Sequence, residues 1–486
     1  MTDGPLALDP GFLAALEAVP AEAWSRWFGD RQGQAGTAVH HASRTLVATF
    51  PLPPARGQAA LCVYESGAGA ESGNLHQAAV RRWSGNAPAD ARVLHQVVDS
   101  DGIVRETLAS AWADADLREW LREALAAGTS LRSGGWEWLA TAERPAVGKQ
   151  TAGESRPLED RRHDVVLFEP GAVGVVYRRL TRAASPELDL LRHLERVPTA
   201  KVSPKLLGSA IIRSPNGQRT GSAVLEELVP EAATMRSVSV SRLRRALEGD
   251  PSLQAVALDD IRAVGVITRE LHAALGRPFE QGVVVGATPA GVTDVDAWVA
   301  RAWSALTSAT LALRGGPAAD PALVDALHIL PGKLQQFAAA AEHAPGLVHR
   351  IHGNLRLDSV LIAPPRRLSI VELDGDGLLS DRERLTPQSP LRDVSRLLVS
   401  IAEAAAEAAG EVGGDAKAFE IAWLWEREAR KACLEGYGTG GGALHALLAI
   451  FELEAASHLL LDSLSGEAGT ARVASHTLQR LSRTIV

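Results

Sequence analysis

Only two cysteines occur in the 486 residues, Cys62 and Cys433. They lie far apart and match no metal or redox spacing, so the expectation is two buried free thiols in a reducing compartment. The N-terminus lacks a basic stretch followed by an apolar one, and no signal peptide is expected. No window is expected to supply the ~20 apolar residues of a membrane span. An excess of positive charge is missing too. A net charge of -8 and a pI near 6.0 give no field that would gather nucleic acid or an anionic membrane. These absences point to a soluble, cytoplasmic protein with neither nucleic acid nor membrane as partner.

What is present is ordinary for a globular chain: 46% apolar and 22% charged residues. The length suggests about three domains. Alanine-rich stretches such as Ile401 to Gly410 read as helices rather than low-complexity disorder.

The chain is organised around Arg350-Ile-His-Gly-Asn-Leu-Arg-Leu-Asp-Ser-Val-Leu-Ile362 and its continuation Leu368-Ser-Ile-Val-Glu-Leu-Asp-Gly-Asp-Gly377. This pattern reads as a loop, a short apolar strand, a Pro-Pro-Arg-Arg turn and a second strand ending in acids. Strands arranged this way hold polar groups at their ends. A kinase-type lobe uses such an arrangement to present a proton acceptor and metal-binding carboxylates to the phosphates of ATP. Gln388-Ser-Pro-Leu-Arg-Asp-Val394 then opens a long helix.

These segments resemble the maltokinase family, a branch of the aminoglycoside-phosphotransferase-like kinases. That family carries His-Gly-Asp-(Leu/Tyr)-His-Leu-Gly-Gln, then Asp-Phe-Glu-Gly-Glu-Pro, then Ser-Pro-Leu-Arg-Asp-Val-Ala. The resemblance implies an α+β, two-lobed protein-kinase-like, aminoglycoside-phosphotransferase-like fold with an N-terminal cap domain. It also implies that the chemistry has changed. Asn354 stands at the catalytic Asp, Ser359 at the metal-binding Gln and Arg356 at the second His. Glu372 takes the metal-binding Asp position, and Asp374 and Asp376 take the two Glu positions. Candidate catalytic residues are therefore Asn354, Asp374 and Asp358, with Glu372 and Ser359 for metal. His352, Arg356 and Arg384 are the candidates for substrate.

Read in order, residues 1–85 form the expected cap, 86–150 an intermediate subdomain, 151–230 the N-lobe and 231–486 a helical C-lobe. Pro10 to Trp27 is a helical pattern ending in Arg26-Trp-Phe-Gly29, a motif similar to one in maltokinase caps. It is either a binding platform or, the favoured reading, a core corner with a C-cap. Thr37 to Phe50 and Gln58 to Glu65 follow as strands. In the N-lobe, Asp160-Arg-Arg-His-Asp164 replaces the small hydroxyl residues that the family places over the phosphates. Tyr177-Arg-Arg-Leu180 sets the register of the next strand and puts Val175 at the family's phosphate-binding lysine. Glu187 or Asp189, in the helix start that follows, then loses its usual partner. Arg178 and Arg179 are conceivable substitutes, although the family has both beside its lysine. Ser222 to Leu228 resembles the segment whose backbone meets the adenine, which adds Glu226 and Leu228 to Val175 as cofactor-binding candidates. His272, in a core helix, reads as a packed and hydrogen-bonded histidine. Gly315 to Asp320 reads as a linker. The glycine cluster Gly436 to Gly442 lacks a preceding strand and the lysine of a phosphate loop, so it reads as a helix connector.

Three functional readings follow. In the first, loss of the general base, the lysine and a metal ligand leaves a pseudokinase that binds a protein partner or a carbohydrate and needs no cofactor. In the second, Glu372 and Asp374 form a rearranged divalent site in a divergent sugar or aminocyclitol kinase using ATP and Mg²⁺, since Mg²⁺ needs only one or two carboxylates. The plain alternative for those acids is a solvated strand end. In the third, the pocket serves other chemistry on a phosphorylated or nucleotide-linked substrate.

Overall fold

The computed structural model describes all residues except 1–7, 29–43, 56, 67–73, 145–153, 159, 161, 183–184, 198–199, 251, 279–285, 315–319, 344, 377–378, 380, 439–441, 465–467 and 485–486. Gly29, the start of the strand expected from Thr37, Arg161, most of the 315–320 linker, Gly377 and the centre of the 436–442 cluster thus lie outside the described residues. The chain forms two compact units, Met1–Arg192 with Pro204–Pro230, and His193–Ser203 with Glu231–Val486.

The first unit opens with two helices, α1 (Pro10–Glu17) and α2 (Ala21–Phe28). The expected single helix from Pro10 to Trp27 breaks at Pro20, whose ring and missing N–H cannot continue the first turn ladder. Five strands then build an antiparallel sheet: β1 (Arg44–Pro51), β2 (Ala59–Ser66), β3 (Leu75–Ser84), β4 (Val93–Val98) and β5 (Val104–Ser110). Their order is β1-β2-β3-β5-β4, which leaves β4 at an edge. Trp24 and Trp27 of α2 bury against Tyr64, Leu94 and Leu108 of the sheet. The Arg-Trp-Phe motif therefore contributes a core corner.

A longer helix, α3 (Ala115–Ala127), starts where the Asp114 carboxylate accepts from Asp116 N–H at 2.8 Å and ends at Gly128 in the left-handed conformation. The second sheet comprises β6 (Ser130–Ser133), β7 (Trp136–Ala142), β8 (Ser155–Leu158), β9 (His163–Phe168), β10 (Ala172–Tyr177), then, beyond the short β11 (Arg179–Leu180), β12 (Leu206–Arg213) and β13 (Arg219–Glu227). Its order is β6-β7-β12-β13-β10-β9-β8, while β11 pairs with β3. The first sheet crosses residue 85 and the second crosses residue 150, because strand pairing ignores the composition shifts seen in the sequence. Helix α4 (Pro186–Arg196) follows β11.

The second unit is mostly helical: α5 (Met235–Leu247), α6 (Ser252–Leu275), α7 (Val292–Arg314), α8 (Pro321–Glu342), α9 (Asp381–Leu385), α10 (Leu391–Glu411), α11 (Ala416–Tyr437), α12 (Gly442–Leu464) and α13 (Ala468–Arg483). Short strands interrupt them: β14 (Ala233–Thr234), β15 (Thr288–Pro289), β16 (Leu347–Val348), β17 (Val360–Ala363) and β18 (Arg367–Ile370). Strands β14, β17 and β18 form one small sheet. Helices α6 and α11 cross with backbones in contact. A Cβ on Gly265 would collide with the Cys433 carbonyl, and one on Gly436 with that of Arg262.

One expectation changes here. Leu444–Leu464 is long and apolar enough to pass for a membrane span, but 72% of that window is buried in the fold. Its acids Glu452 and Glu454 are buried against arginines: Arg430 and Arg480 bond Glu452, and Arg392 bonds Glu454. A core helix passes the same hydropathy test because burial in protein and burial in lipid select the same residues. Both cysteines are buried free thiols, and burial pushes each up to about 12.

Candidate functional site

In the second unit the loop before β17 is held from below by one carboxylate. Asp393, near the start of α10 and wholly buried, accepts from the backbone N–H groups of His352 at 2.9 Å and Gly353 at 2.8 Å. It also bonds His272 Nε2 at 3.0 Å, and His272 Nδ1 meets the Tyr437 hydroxyl at 2.9 Å. Burial opposes the Asp393 charge, yet the bond and charge of His272 and the Gly353 N–H hold its carboxyl below the usual range. The glycine contact between α6 and α11 is what brings His272 and Tyr437 to this point. Beside them burial takes the His349 imidazole down to about 4.

His352 is 1% exposed. Its Nε2 is 2.9 Å from the Val371 carbonyl, which requires a proton there, so Nδ1 accepts from Asn354 N–H at 3.3 Å. Expected among the substrate residues, this imidazole instead ties the loop to the end of β18. Gly353 and Gly375 both have positive φ, and a Cβ on Gly353 would stand 3.1 Å from the Gly375 Cα. The two polar segments thus touch through bare backbone, with Asn354 half-buried beside the contact.

Arg356 does not stand alone either. Its guanidinium donates to Glu403 of α10 at 2.6 Å and lies 3.7 Å from Asp358. Arg236 of α5 reaches Asp358 and Glu403, each at 3.5 Å, and Glu407 at 2.7 Å. Burial raises the Glu403 carboxyl, and the two arginines oppose that shift. Asp358, a candidate catalytic acid, is therefore one member of an ion-pair network. Ser359 is buried, its N–H and C=O taken by Arg356 and Val371.

The acids after β18 diverge. Glu372 is exposed and adopts a left-handed φ of 64°. Asp374 is buried, and its carbonyl accepts both Arg384 Nε at 3.0 Å and Nη2 at 2.7 Å. Arg384, expected at the substrate, is thus engaged with main chain. Asp376 is buried against Arg396 at 2.9 Å. Among the described residues no three His, Cys, Asp or Glu side chains gather as a metal centre would require. Asp358 and Asp376 are each paired with arginine. Glu372 and Asp374, the two acids expected to form a rearranged divalent site, flank Leu373 just after β18.

In the first unit Val175 pairs with Val165 on β9 and Val224 on β13. By strand alternation it shares a sheet face with Tyr177, whose hydroxyl bonds Glu187 of α4. Arg178 points to the opposite face, where Asp164 takes it at 2.8 Å and the Asp160 carbonyl at 3.2 Å. Arg179 pairs with His76 in β3. Arg178 therefore does not stand in for a lysine at 175. Glu226 is buried opposite Val173 and Leu206, and burial pushes its carboxyl up to about 7. The Leu228 N–H donates to the Gly171 carbonyl at 3.0 Å.

Sequence reasoning missed Asp393 as a site residue, although it sits in the Ser-Pro-Leu-Arg-Asp-Val segment that set the register. It also missed Glu403 and Arg236, for which no local motif gives a signal.

No protein-family model matches this chain. Among solved structures it is similar to a glucosamine kinase in complex with glucosamine, ADP and inorganic phosphate: 20% identity over 94% of this chain and 99% of that one, with a TM-score of 0.62. Two further crystal forms of glucosamine kinase align at 20% and 18% identity, with TM-scores of 0.61 and 0.62, over 94% of this chain and 98% of each. The fold is therefore α+β, two-lobed and kinase-like, of the kind that sugar kinases use.

Proposed function

We propose that this chain is a sugar-kinase-fold protein with an eroded catalytic site, a maltokinase-like pseudokinase of the cytoplasm that binds a protein partner or a carbohydrate. The observation that carries the reading is Val175. It stands in a strip of valines with Val165 and Val224, where the family resemblance asks for the cation that holds the ATP phosphates. Arg178, three residues on, is held by Asp164 on the opposite face of the sheet and does not supply the charge. Asn354 adds to this, because a neutral amide cannot accept the substrate proton as a carboxylate does.

A second reading keeps phosphotransfer, with ATP and Mg²⁺ acting on a sugar or aminocyclitol hydroxyl. It is favoured by the retained acid at Asp374 and by the glucosamine, ADP and phosphate named for the similar structure. The deciding experiment pairs calorimetry of ATP-Mg²⁺ with a phosphotransfer assay on maltose, glucosamine and trehalose. Silence in both arms supports the first reading. Turnover of any of the three sugars rejects it.

A further inference from the structure

In the first unit a groove of about 370 Å³ runs between the last turn of α2 and the edge strand β4, lined by Arg26, Trp27, Arg92 and the consecutive residues Val93–Gln96. We propose that this groove binds an extended acidic peptide, which adds to the open edge of β4 as a further strand and sets a carboxylate against Arg26 and Arg92.

Three observations carry the assignment. β4 pairs with β5 alone, so its outer row of backbone groups has no strand partner among the described residues. Such an edge invites another strand. Its protection is slight: Val93, Val97 and Val98 are 47%, 46% and 49% exposed, no lysine or proline interrupts β4, and the β4–β5 ladder shifts register only between Val93 and His95 and between Val97 and Val98.

The charge around the groove is one-sided. Its described lining carries two arginines and no carboxylate in a chain whose net charge is -8. Arg92 lies over the Trp27 ring at 4.6 Å from its centroid, and its Nη2 caps the Arg26 and Trp27 carbonyls at the end of α2. That fixes the guanidinium in place. Among the described residues its Nη1 has no acceptor, nor does Trp27 Nε1. Burial and the nearby Arg178 charge bring Arg92 down to about 10, against the opposing charge of Asp164. Arg26 is exposed at the groove, where an incoming carboxylate meets it beside the fixed Arg92. The shape favours a peptide over a lone anion, because the groove follows four successive strand residues rather than closing round one point.

The inference stands whether or not the chain transfers phosphate. Its test selects random peptides of about eight residues, the length of an ordinary strand, by phage display against the full chain. The enriched peptides are then labelled with fluorescein and titrated by polarisation. The expected peptides alternate β-branched residues with Asp or Glu. Their Kd rises about tenfold in Arg26→Glu and falls off with salt near 0.5 M, as a charge-steered contact should. Val97→Lys, an exposed change on the edge itself, weakens them similarly while the melting temperature stays that of the wild type. No enriched peptide, an enriched set without acids, or binding indifferent to both substitutions overturns the proposal. So does a concentration-dependent dimer in sedimentation that Val97→Lys dissolves, since the edge then belongs to a second copy of the chain.

Discussion

The Tyr177 hydroxyl donates to the Glu187 carboxylate, two residues along β10 from Val175 and on the same face of the sheet. Glu187 is 4% exposed, so an unpartnered charge there would be costly. The family resemblance gives a lysine to this acid or to Asp189; here a phenol bonds Glu187.

From this, ATP-Mg²⁺ binds weakly or not at all. Isothermal calorimetry checks the expectation. A Mg²⁺-dependent dissociation constant in the low micromolar range would instead favour the divergent kinase, and Glu372→Ala should then abolish it.

Restoring one residue does not restore the reaction. Asn354→Asp alone leaves phosphotransfer to maltose at background, because general-base help of ~100 to 10,000-fold acts on a transition state that still lacks its cation. Val175→Lys, Asn354→Asp, Ser359→Gln and Glu372→Asp together, with Tyr177→Phe to release Glu187, are expected to give measurable transfer if the sugar pocket is intact. Wild-type turnover that Asn354→Asp slows would make Asn354 a working residue and end the pseudokinase reading.

Asp393→Ala destabilises the second unit by on the order of 3–5 kcal/mol, since it strands two buried N–H groups and His272. Asp393→Asn costs less, as the amide oxygen still accepts. Urea denaturation measures both, and hydrogen exchange at the Gly353 amide reports the local loss. A shift below about 0.5 kcal/mol for the alanine variant would show that the loop is held by something else.

Two buried groups set opposite pH limits. His349 sits near 4 in the fold against 6.5 free, so the unfolded chain takes the proton first. Its contribution is complete above pH 6.5 and is lost as pH falls toward 4, on the order of 3 kcal/mol. Glu226 sits near 7 against 4.5 free. Its contribution is complete below 4.5 and is lost as pH rises through 7. Melting temperature against pH should therefore flatten on the acid side in His349→Gln and on the alkaline side in Glu226→Gln. Unchanged profiles would show that neither group titrates as placed.

The sequence by itself determined the two-lobed α+β architecture. Helical and strand periods, prolines and glycines are local signals, and the run from His352 to Val394 is contiguous enough to count residues along it. It also raised the reading that Val175 and Asn354 stand where the resemblance has a lysine and an aspartate, since a residue's identity is visible as a letter. Tertiary structure alone decided what the surviving polar residues do. His352 and Arg384 were legible as polar side chains near a site, but only the fold turns one to the Val371 carbonyl and the other to that of Asp374. Arg236 and Glu403 lie 120 and 44 residues from the neighbouring candidate Arg356 and Ser359, beyond any motif's reach. The strand order likewise hid the open edge of β4, because an edge is defined by the partner a strand lacks. Hydrogen bonds and ion pairs join atoms that are close in space, and proximity across tens of residues is created by packing rather than written in any one segment.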